Sequence, residues 1–577
     1  MIVIALLSAT IPVASSWLTK LIIDRLTVGD TLVQVLDLAA GLSVLGLMLS
    51  ASSSVRRYVK AELSRRISLL AQDNLYRAIN ALPGLSKFEN PIFLNKLRMA
   101  TQAGGTTPSQ IGEAGLSLAG GIITISGFLC SLAVISPVMA GIVLIGAAPA
   151  LMAEIALSKR RTATAWKLSP IERREIFYTH LLSSVEAAKE VRLFGLGDFL
   201  HDRMLSERRN ANTEKRRVDR QELSAQAGLG LIAALVSGGG LIWAVAQARN
   251  GAMTVGDVSM FVTAVAGVQM SLSGVVTQTA VAHQQLSLFQ HYQAVVSTPS
   301  DLPIRSGHLP SLVKGIEIRD VWFRYGPDHP WILKGVNLTI PYGSSVGLVG
   351  LNGAGKSTLI KLLCRFYDPT EGIILWDGLD LREITPAGLR DRISAVFQDY
   401  MNYDMTVSEN IGMGDLSRFA DQSMIEEAAR HAGAHEMIAT LPKGYDTLIT
   451  RIFSQEEDES EGVFLSGGQE QRVAIARAML REDRDLLILD EPSSGLDARA
   501  ENEMHTRLKK YRDGRTSLLI SHRLGAVREA DIIAVLNEGH IVEQGSHEGL
   551  MRFDGVYAQL FNLQASGYQE KERGKWC

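Results

Sequence analysis

Gly350-Leu351-Asn352-Gly353-Ala354-Gly355-Lys356-Ser357-Thr358 joins a glycine-rich turn to a Lys-Ser-Thr triplet. Glycines at 350, 353 and 355 let backbone amides converge on an anion, and the run fits the phosphate-loop pattern. The apolar stretch 346–349 before it reads as a buried strand, and 359–363 after it opens a helix, so a nucleotide's polyphosphate would sit at a helix N-terminus. In that frame Lys356 reaches the terminal phosphates and Ser357 ligates magnesium, while Asn352 and Thr358 complete the set expected to touch the nucleotide.

Further along, 486–489 is an apolar strand ending in Asp490 and Glu491. Two adjacent carboxylates at a strand end can divide the work of phosphoryl transfer, one holding magnesium and the other poising water. Asp490 takes the metal side and Glu491 the general-base role. Gln398, in Val396-Phe397-Gln398-Asp399, offers an amide to magnesium and the attacking water. His522, in Leu519-Ile520-Ser521-His522-Arg523, ends another strand and is expected to hydrogen-bond a γ-phosphate. Leu465-Ser466-Gly467-Gly468-Gln469 starts a helix running to Met479, so the Ser466 hydroxyl and the following amides make a second anion-binding terminus. Tyr325 precedes the phosphate loop by one hairpin and presents an aromatic face for adenine, although the same residue could serve only the core.

These motifs need an α/β scaffold. From Ile316 onward the chain alternates short β-rich runs, turns and helices, as an α/β P-loop domain requires. The first half reads differently. A chain of 577 residues exceeds one core. Its mean hydropathy of +0.10 beside 21% charged residues implies two unlike halves. The net charge of -3 argues against a nucleic-acid partner. Three cysteines, Cys130, Cys364 and Cys577, form neither a CxxC pair nor a disulfide framework.

Residues 1–23 are almost uninterruptedly apolar and lack a basic n-region, so they read as a membrane span and not a signal peptide. Apolar stretches at 33–55, 111–135, 138–157, 223–246 and 258–276 bring the expected spans to six. Short loops at 24–31, 136–137 and 247–257 carry few cations, whereas the long connections open with Arg56, Arg57 and Lys60, and with Lys159, Arg160 and Arg161. The long connections are therefore expected in the cytoplasm, together with both termini. Their helical pattern implies that the spanning helices continue beyond the membrane, broken at 82–91 by Pro83, Gly84 and Pro91 and again at 189–195. Each break is either a transverse element that touches another domain or an ordinary surface turn. Glu113 and Glu154 are the main carboxylates in the spans and are read as functional or merely interfacial. Thr263, Gln269, Ser273 and Gln278 in the sixth span either face an aqueous cavity or pack against other helices. The expected domains are a transmembrane domain over 1–296, a linker over 297–313, an ATP-binding domain over 314–567 and a polar tail over 568–577.

Phosphate loop, glutamine loop, Leu-Ser-Gly-Gly-Gln signature, Asp-Glu strand and switch histidine, in this order, resemble an ATP-binding cassette (ABC) transporter. Six spans ahead of one such domain resemble an exporter half-transporter. The fold class implied is an all-α six-helix transmembrane domain of the ABC exporter type followed by an α/β P-loop NTPase domain. By that resemblance the signature of one copy closes over ATP on the phosphate loop of another, so Ser466 and Gly468 act in trans. Asp497 matches the loop that communicates between the two sites, and the breaks near Phe88 and Leu193 match coupling helices that dock on the ATPase domains. Every nucleotide-site position is intact, so a homodimer is sufficient, with a related half-transporter as the other possible partner.

Three features depart from the family's pattern. The family usually has a cytoplasmic elbow helix before the first span, whereas here the span begins at Met1, as expected of a truncated chain or a misassigned start; Glu470 follows the signature glutamine, and an acidic segment with Glu456, Glu457, Asp458, Glu459 and Glu461 precedes the signature. That segment is expected either to face the basic hairpins or to be a solvated charge run. Phe397 to Tyr400, Thr406 to Gly412 and Ala188 to Phe194 resemble the bacterial branch that exports lantibiotic-type peptides. A modified peptide is accordingly the expected cargo of an ATP-driven exporter in the cell membrane. Lipid translocation or drug efflux by the same machinery is the alternative, and a non-transport ATPase ranks behind both.

Overall fold

A computed structural model describes residues 2–29, 31–303, 305, 307, 309–450, 462–493 and 498–573. Asp497, the acidic residues 456–461 and Cys577 lie outside the described residues. The chain divides into two compact units, residues 1–79 with 95–298, and residues 80–94 with 299–577. This division assigns the first hairpin break to the second unit, where the sequence boundaries place it with 1–296.

The first unit is helical: α1 (Ile2–Val28), α2 (Leu32–Asn80), α3 (Pro91–Ile135), α4 (Pro137–Ser183), α5 (Val185–Leu193), α6 (Gly197–Arg249) and α7 (Val255–Val296). The 49 residues of α2 and 53 of α6, at about 1.5 Å each, run to more than twice the ~30 Å hydrocarbon thickness of a bilayer. Four segments among the described residues are long and apolar enough to cross a membrane: Leu6–Val28, Leu32–Asn80, Pro91–Ile135 and Val255–Val296. The expected spans at 138–157 and 223–246 fall on α4 and α6, where side chains are only partly described. At most 33% of any of these apolar windows is buried within the protein, which leaves apolar helix faces exposed, as in a multi-pass membrane domain.

Local chemistry sets the helix ends. Pro137 follows Ser136 at the first turn of α4, where its missing N–H costs nothing. Thr254 caps α7: its Oγ1 accepts from the Asp257 N–H at 3.1 Å, and Asp257 Oδ2 accepts from the Thr254 N–H at 2.9 Å. Lys20 on α1 bridges Asp24 at 2.7 Å and Asp257 at 3.1 Å, tying α1 to the start of α7. Phe128, Leu132, Met139, Met260 and Phe261 form the buried centre. Gly267 permits it, since a Cβ there would sit 2.3 Å from Phe128 Cε2. Gln269 donates to Ser237 Oγ at 3.4 Å and Thr263 Oγ1 donates to the Ser259 carbonyl of its own helix at 3.1 Å; both residues are exposed. Glu113 pairs with Lys60 at 2.6 Å, with both side chains partly exposed; the side chain of Glu154 lies outside the description. The second break is α5, which ends with Leu193 and Phe194 exposed by 77% and 64%.

The second unit contains β1 (Gly315–Phe323), β2 (Leu333–Pro341), β3 (Ser345–Val349), β4 (Glu371–Trp376), β5 (Leu379–Asp380), β6 (Ile393–Val396), β7 (Leu486–Asp490), β8 (Ser517–Ile520), β9 (Ile532–Asn537) and β10 (His540–Gly545). An antiparallel sheet runs β2-β1-β4-β5, and a second sheet runs β10-β9-β3-β8-β7-β6. In the latter, β9, β3, β8, β7 and β6 are parallel. Val346 to Val349 of β3 and all of β7 are buried, as strands covered on both faces demand. The order β3-β8-β7-β6 brings together strand ends that lie far apart in sequence.

Candidate nucleotide site

The segments after β3, β6, β7 and β8 carry the phosphate loop, Gln398, Glu491 and His522, and Asp490 is the last residue of β7. They meet beyond the C-terminal ends of adjacent parallel strands, the usual place for a ligand in an open α/β sheet. A cavity of about 600 Å³ opens there, lined by Tyr325, Ile332, Asn352, Gly353, Gly355, Lys356, Ser357, Thr358, Gln398, Asp490, Glu491 and His522. All but Ile332 were legible in the sequence; a lone isoleucine carries no motif.

The loop leads into α8 (Lys356–Leu363), whose first-turn residues Lys356, Ser357 and Thr358 line the cavity. Gly355 has φ +108°, and a Cβ there would lie 2.7 Å from Leu333 Cδ2, so the turn demands glycine. Gly350 does not line the cavity, but its carbonyl accepts from Lys356 Nζ at 2.8 Å, and the Leu351 carbonyl accepts from the same amine at 3.1 Å. Burial lowers the Lys356 pKa below its ordinary value, against the pull of Glu491 and Asp490. Asp490 is 5% exposed. Its carboxyl is pushed up to about 6, first by burial and then by the charge of Glu491, with Lys356 opposing. A carboxylate so placed is poised for a cation.

Glu491 adopts φ 49°, uncommon for a side-chain-bearing residue. Its backbone is held on both sides: its N–H donates to the Ile520 carbonyl at 2.9 Å, and its carbonyl accepts from Gln471 Nε2 at 3.2 Å. Glu491 Oε1 lies 3.1 Å from His522 Nδ1. Gln471, on the helix Gly467–Met479, was missed because only its fold neighbour reveals the role. Tyr325 bonds Thr358 Oγ1 through its hydroxyl at 3.1 Å and packs edge-on against Phe323 and Tyr367; the residue is 37% exposed and lines the cavity.

Ser466, Gly467, Gly468 and Gln469 do not line this cavity. Ser466 and Gly467 are exposed at the start of the helix Gly467–Met479, and the Ser466 N–H donates to Gln469 Oε1 at 2.8 Å. Tyr400, two residues beyond Gln398, donates its hydroxyl to the Gly467 carbonyl at 3.1 Å. The segment 80–94 is fastened to the same unit. Arg390 Nη2 donates to the Pro83 carbonyl at 2.6 Å, the Gly84 N–H donates to Asp301 Oδ1 at 3.0 Å, and Glu89 pairs with Lys361 at 2.7 Å. Among the described residues no group of three His, Cys, Asp or Glu side chains forms a metal cluster. The donor set Ser357, Gln398 and Asp490 instead suits magnesium, which is typically held by few protein oxygens plus substrate phosphates.

Residues 333–494 match the ABC transporter family and residues 106–272 the ABC transporter transmembrane region. The structure of a bacterial Atm1-family ABC exporter with ATP bound superposes with a TM-score of 0.83 at 25% identity, covering 97% of each chain. The fold is that of an ABC exporter, a helical transmembrane domain followed by a nucleotide-binding domain. An ATP-dependent lipid A-core flippase of Chromohalobacter salexigens is 38% identical over 58% of this chain and 55% of its own length. The flippase of the same description from Escherichia coli K12 is 46% identical over 43% of this chain and 41% of its own. A sophorolipid transporter of Starmerella bombicola is 44% identical over 48% of this chain and 21% of its own. The matches thus span about half, or less, of these relatives. The named relatives move lipids, which does not support the expected peptide branch.

Proposed function

We propose that this chain, with the fold of an ABC exporter, is an ATP-hydrolysing half-transporter that moves an amphipathic lipid across the membrane. The meeting of Lys356, Ser357, Gln398, Asp490, Glu491 and His522 in one cavity carries the ATPase reading. ATP would lie with its adenine against Tyr325 and its phosphates over α8, where Lys356 supplies positive charge. Magnesium, held by Ser357, Asp490 and Gln398, would neutralise phosphate charge. Glu491 then accepts the proton of the attacking water, while His522 orients Glu491 and contacts the γ-phosphate.

Ser466 and Gly468 have no place in the cavity of their own chain, which favours a second copy supplying them. The bonds around Pro83, Gly84 and Glu89 favour a coupling role for the first hairpin break. The cargo is read from the relatives, whose names specify lipids, together with largely exposed apolar helix faces. Reconstitution of the chain alone in liposomes tests the proposal: ATP-dependent transfer of a labelled lipid between leaflets is expected, abolished in Glu491→Gln. Stimulation of ATP hydrolysis by peptides but by no lipid would overturn the lipid reading.

A further inference from the structure

His522 sits on the short stretch that joins β8 to the helix Leu524–Val527. Its side chain is 49% exposed, so packing around the ring does not by itself fix where the imidazole points. The backbone of 521–524 must supply that constraint. Ser521 Oγ accepts from the Arg523 N–H at 3.0 Å. Arg523 pairs with Glu501, which also accepts from Ser493 Oγ at 3.2 Å, two residues beyond Glu491. These bonds hold the neighbours of Glu491 and His522. The bond to His522 itself comes from Gln564: its Nε2 donates to the His522 carbonyl, and its Oε1 accepts from the Leu524 N–H at 2.9 Å. One side-chain amide thus spans the two peptide planes that flank residue 523. Turning that amide over would set oxygen against oxygen and N–H against N–H, so amide and loop fix each other in one arrangement.

The helix Val556–Arg573 brings Gln564 there. Tyr557 is fully buried, Phe561 packs against the same core, and Gln564 follows two turns after Tyr557, so the three share one face. The start of this helix is fastened to β10 by Glu543, whose carboxylate accepts from the N–H groups of Val556 and Tyr557. The Tyr557 hydroxyl bonds His547 Nδ1 at 2.8 Å and adds a second anchor. An amide on the packed face of a helix must find partners, and both partners of Gln564 lie in the loop that carries His522. We propose that Gln564 is a positioning residue for ATP hydrolysis, through which this helix holds the 522–524 backbone so that His522 meets Glu491 and the γ-phosphate. The proposal rests on the role given above to His522. Gln564 does not line the nucleotide cavity, so its effect falls on the chemical step and not on ATP affinity.

The test is steady-state ATP hydrolysis by the full chain in nanodiscs. Turnover is expressed per site filled by a non-hydrolysable ATP analogue at saturation, so that a smaller folded fraction does not register as slower chemistry. Gln564→Glu keeps the acceptor for the Leu524 N–H and removes the donor to His522. Gln564→Met keeps the length and packing of the side chain and makes neither bond. Each is expected to lower kcat about three- to tenfold, the scale of one hydrogen bond, with KM for ATP within about twofold of wild type. In a His522→Ala background the same substitutions are expected to change kcat less than about twofold, because the group they act through is gone. If His522→Ala abolishes turnover, kcat and KM of the single variants decide. A wild-type kcat in the single variants, a loss confined to KM, or an equal loss in both backgrounds would overturn the positioning role and leave the reading of His522 standing. A wild-type kcat in His522→Ala would sink both.

Discussion

Asp490→Asn should make the nucleotide-free chain more stable while destroying its ATPase activity. The Asp490 carboxyl is raised from its ordinary 3.8 to about 6, because burial and the neighbouring Glu491 disfavour its charge. Between about pH 4 and pH 6 the folded chain holds a proton that the unfolded chain has released, so this group's contribution to stability falls as pH rises through that window. Above it the full penalty applies, about 3 kcal/mol at about 1.4 kcal/mol per unit. The amide removes that penalty, which is already net of the opposing attraction of Lys356. About 2–4 °C per kcal/mol for a unit of this size sets an upper bound of roughly 10 °C, and a net rise of a few degrees is expected at pH 8. The difference should shrink at pH 5, where wild-type Asp490 is itself largely protonated. Thermal unfolding of the purified full-length chain at both pH values, without nucleotide or magnesium, measures this. A variant less stable than wild type at pH 8, or a difference independent of pH, would refute the assignment of Asp490 as a destabilised metal-side carboxylate.

Glu491→Gln should keep ATP affinity within about threefold while turnover drops by about 10²–10⁴-fold, the range of a lost general base; normal hydrolysis would reassign the base. Tyr325→Ala should raise the Kd for ATP about three- to tenfold, as loss of one aromatic contact implies, with kcat at saturation preserved. A double-mutant cycle on Glu89 and Lys361, whose side chains are 42% and 31% exposed, should give a coupling no larger than about 1 kcal/mol because solvent screens the pair. A coupling above about 2 kcal/mol would show that this pair dominates the fastening of the hairpin tip.

Much of the nucleotide site was legible because its parts are local. The glycines, Lys356 and Ser357 occupy one turn, and Asp490-Glu491 close one apolar run, so spacing alone assigns their chemistry. Apolar length likewise marked the long helices, since a bilayer imposes a minimum span. The cargo was less legible: Phe397 to Tyr400, which pointed to peptides, adjoin Gln398 of the nucleotide cavity, whereas the relatives' names specify lipids. What no linear pattern contains is proximity across hundreds of residues. The strand order β3-β8-β7-β6 decides that His522 meets Glu491 and that Gln398 shares their cavity. Arg390 and Asp301 decide that the break at Pro83 and Gly84 belongs with the ATP unit. The same folding leaves Arg512 buried without hydrogen bonds on two of its nitrogens. Residue types and short spacings therefore determine the chemistry available to this protein. Packing, which sets burial and the distances between remote side chains, decides which groups meet and how their charges are balanced.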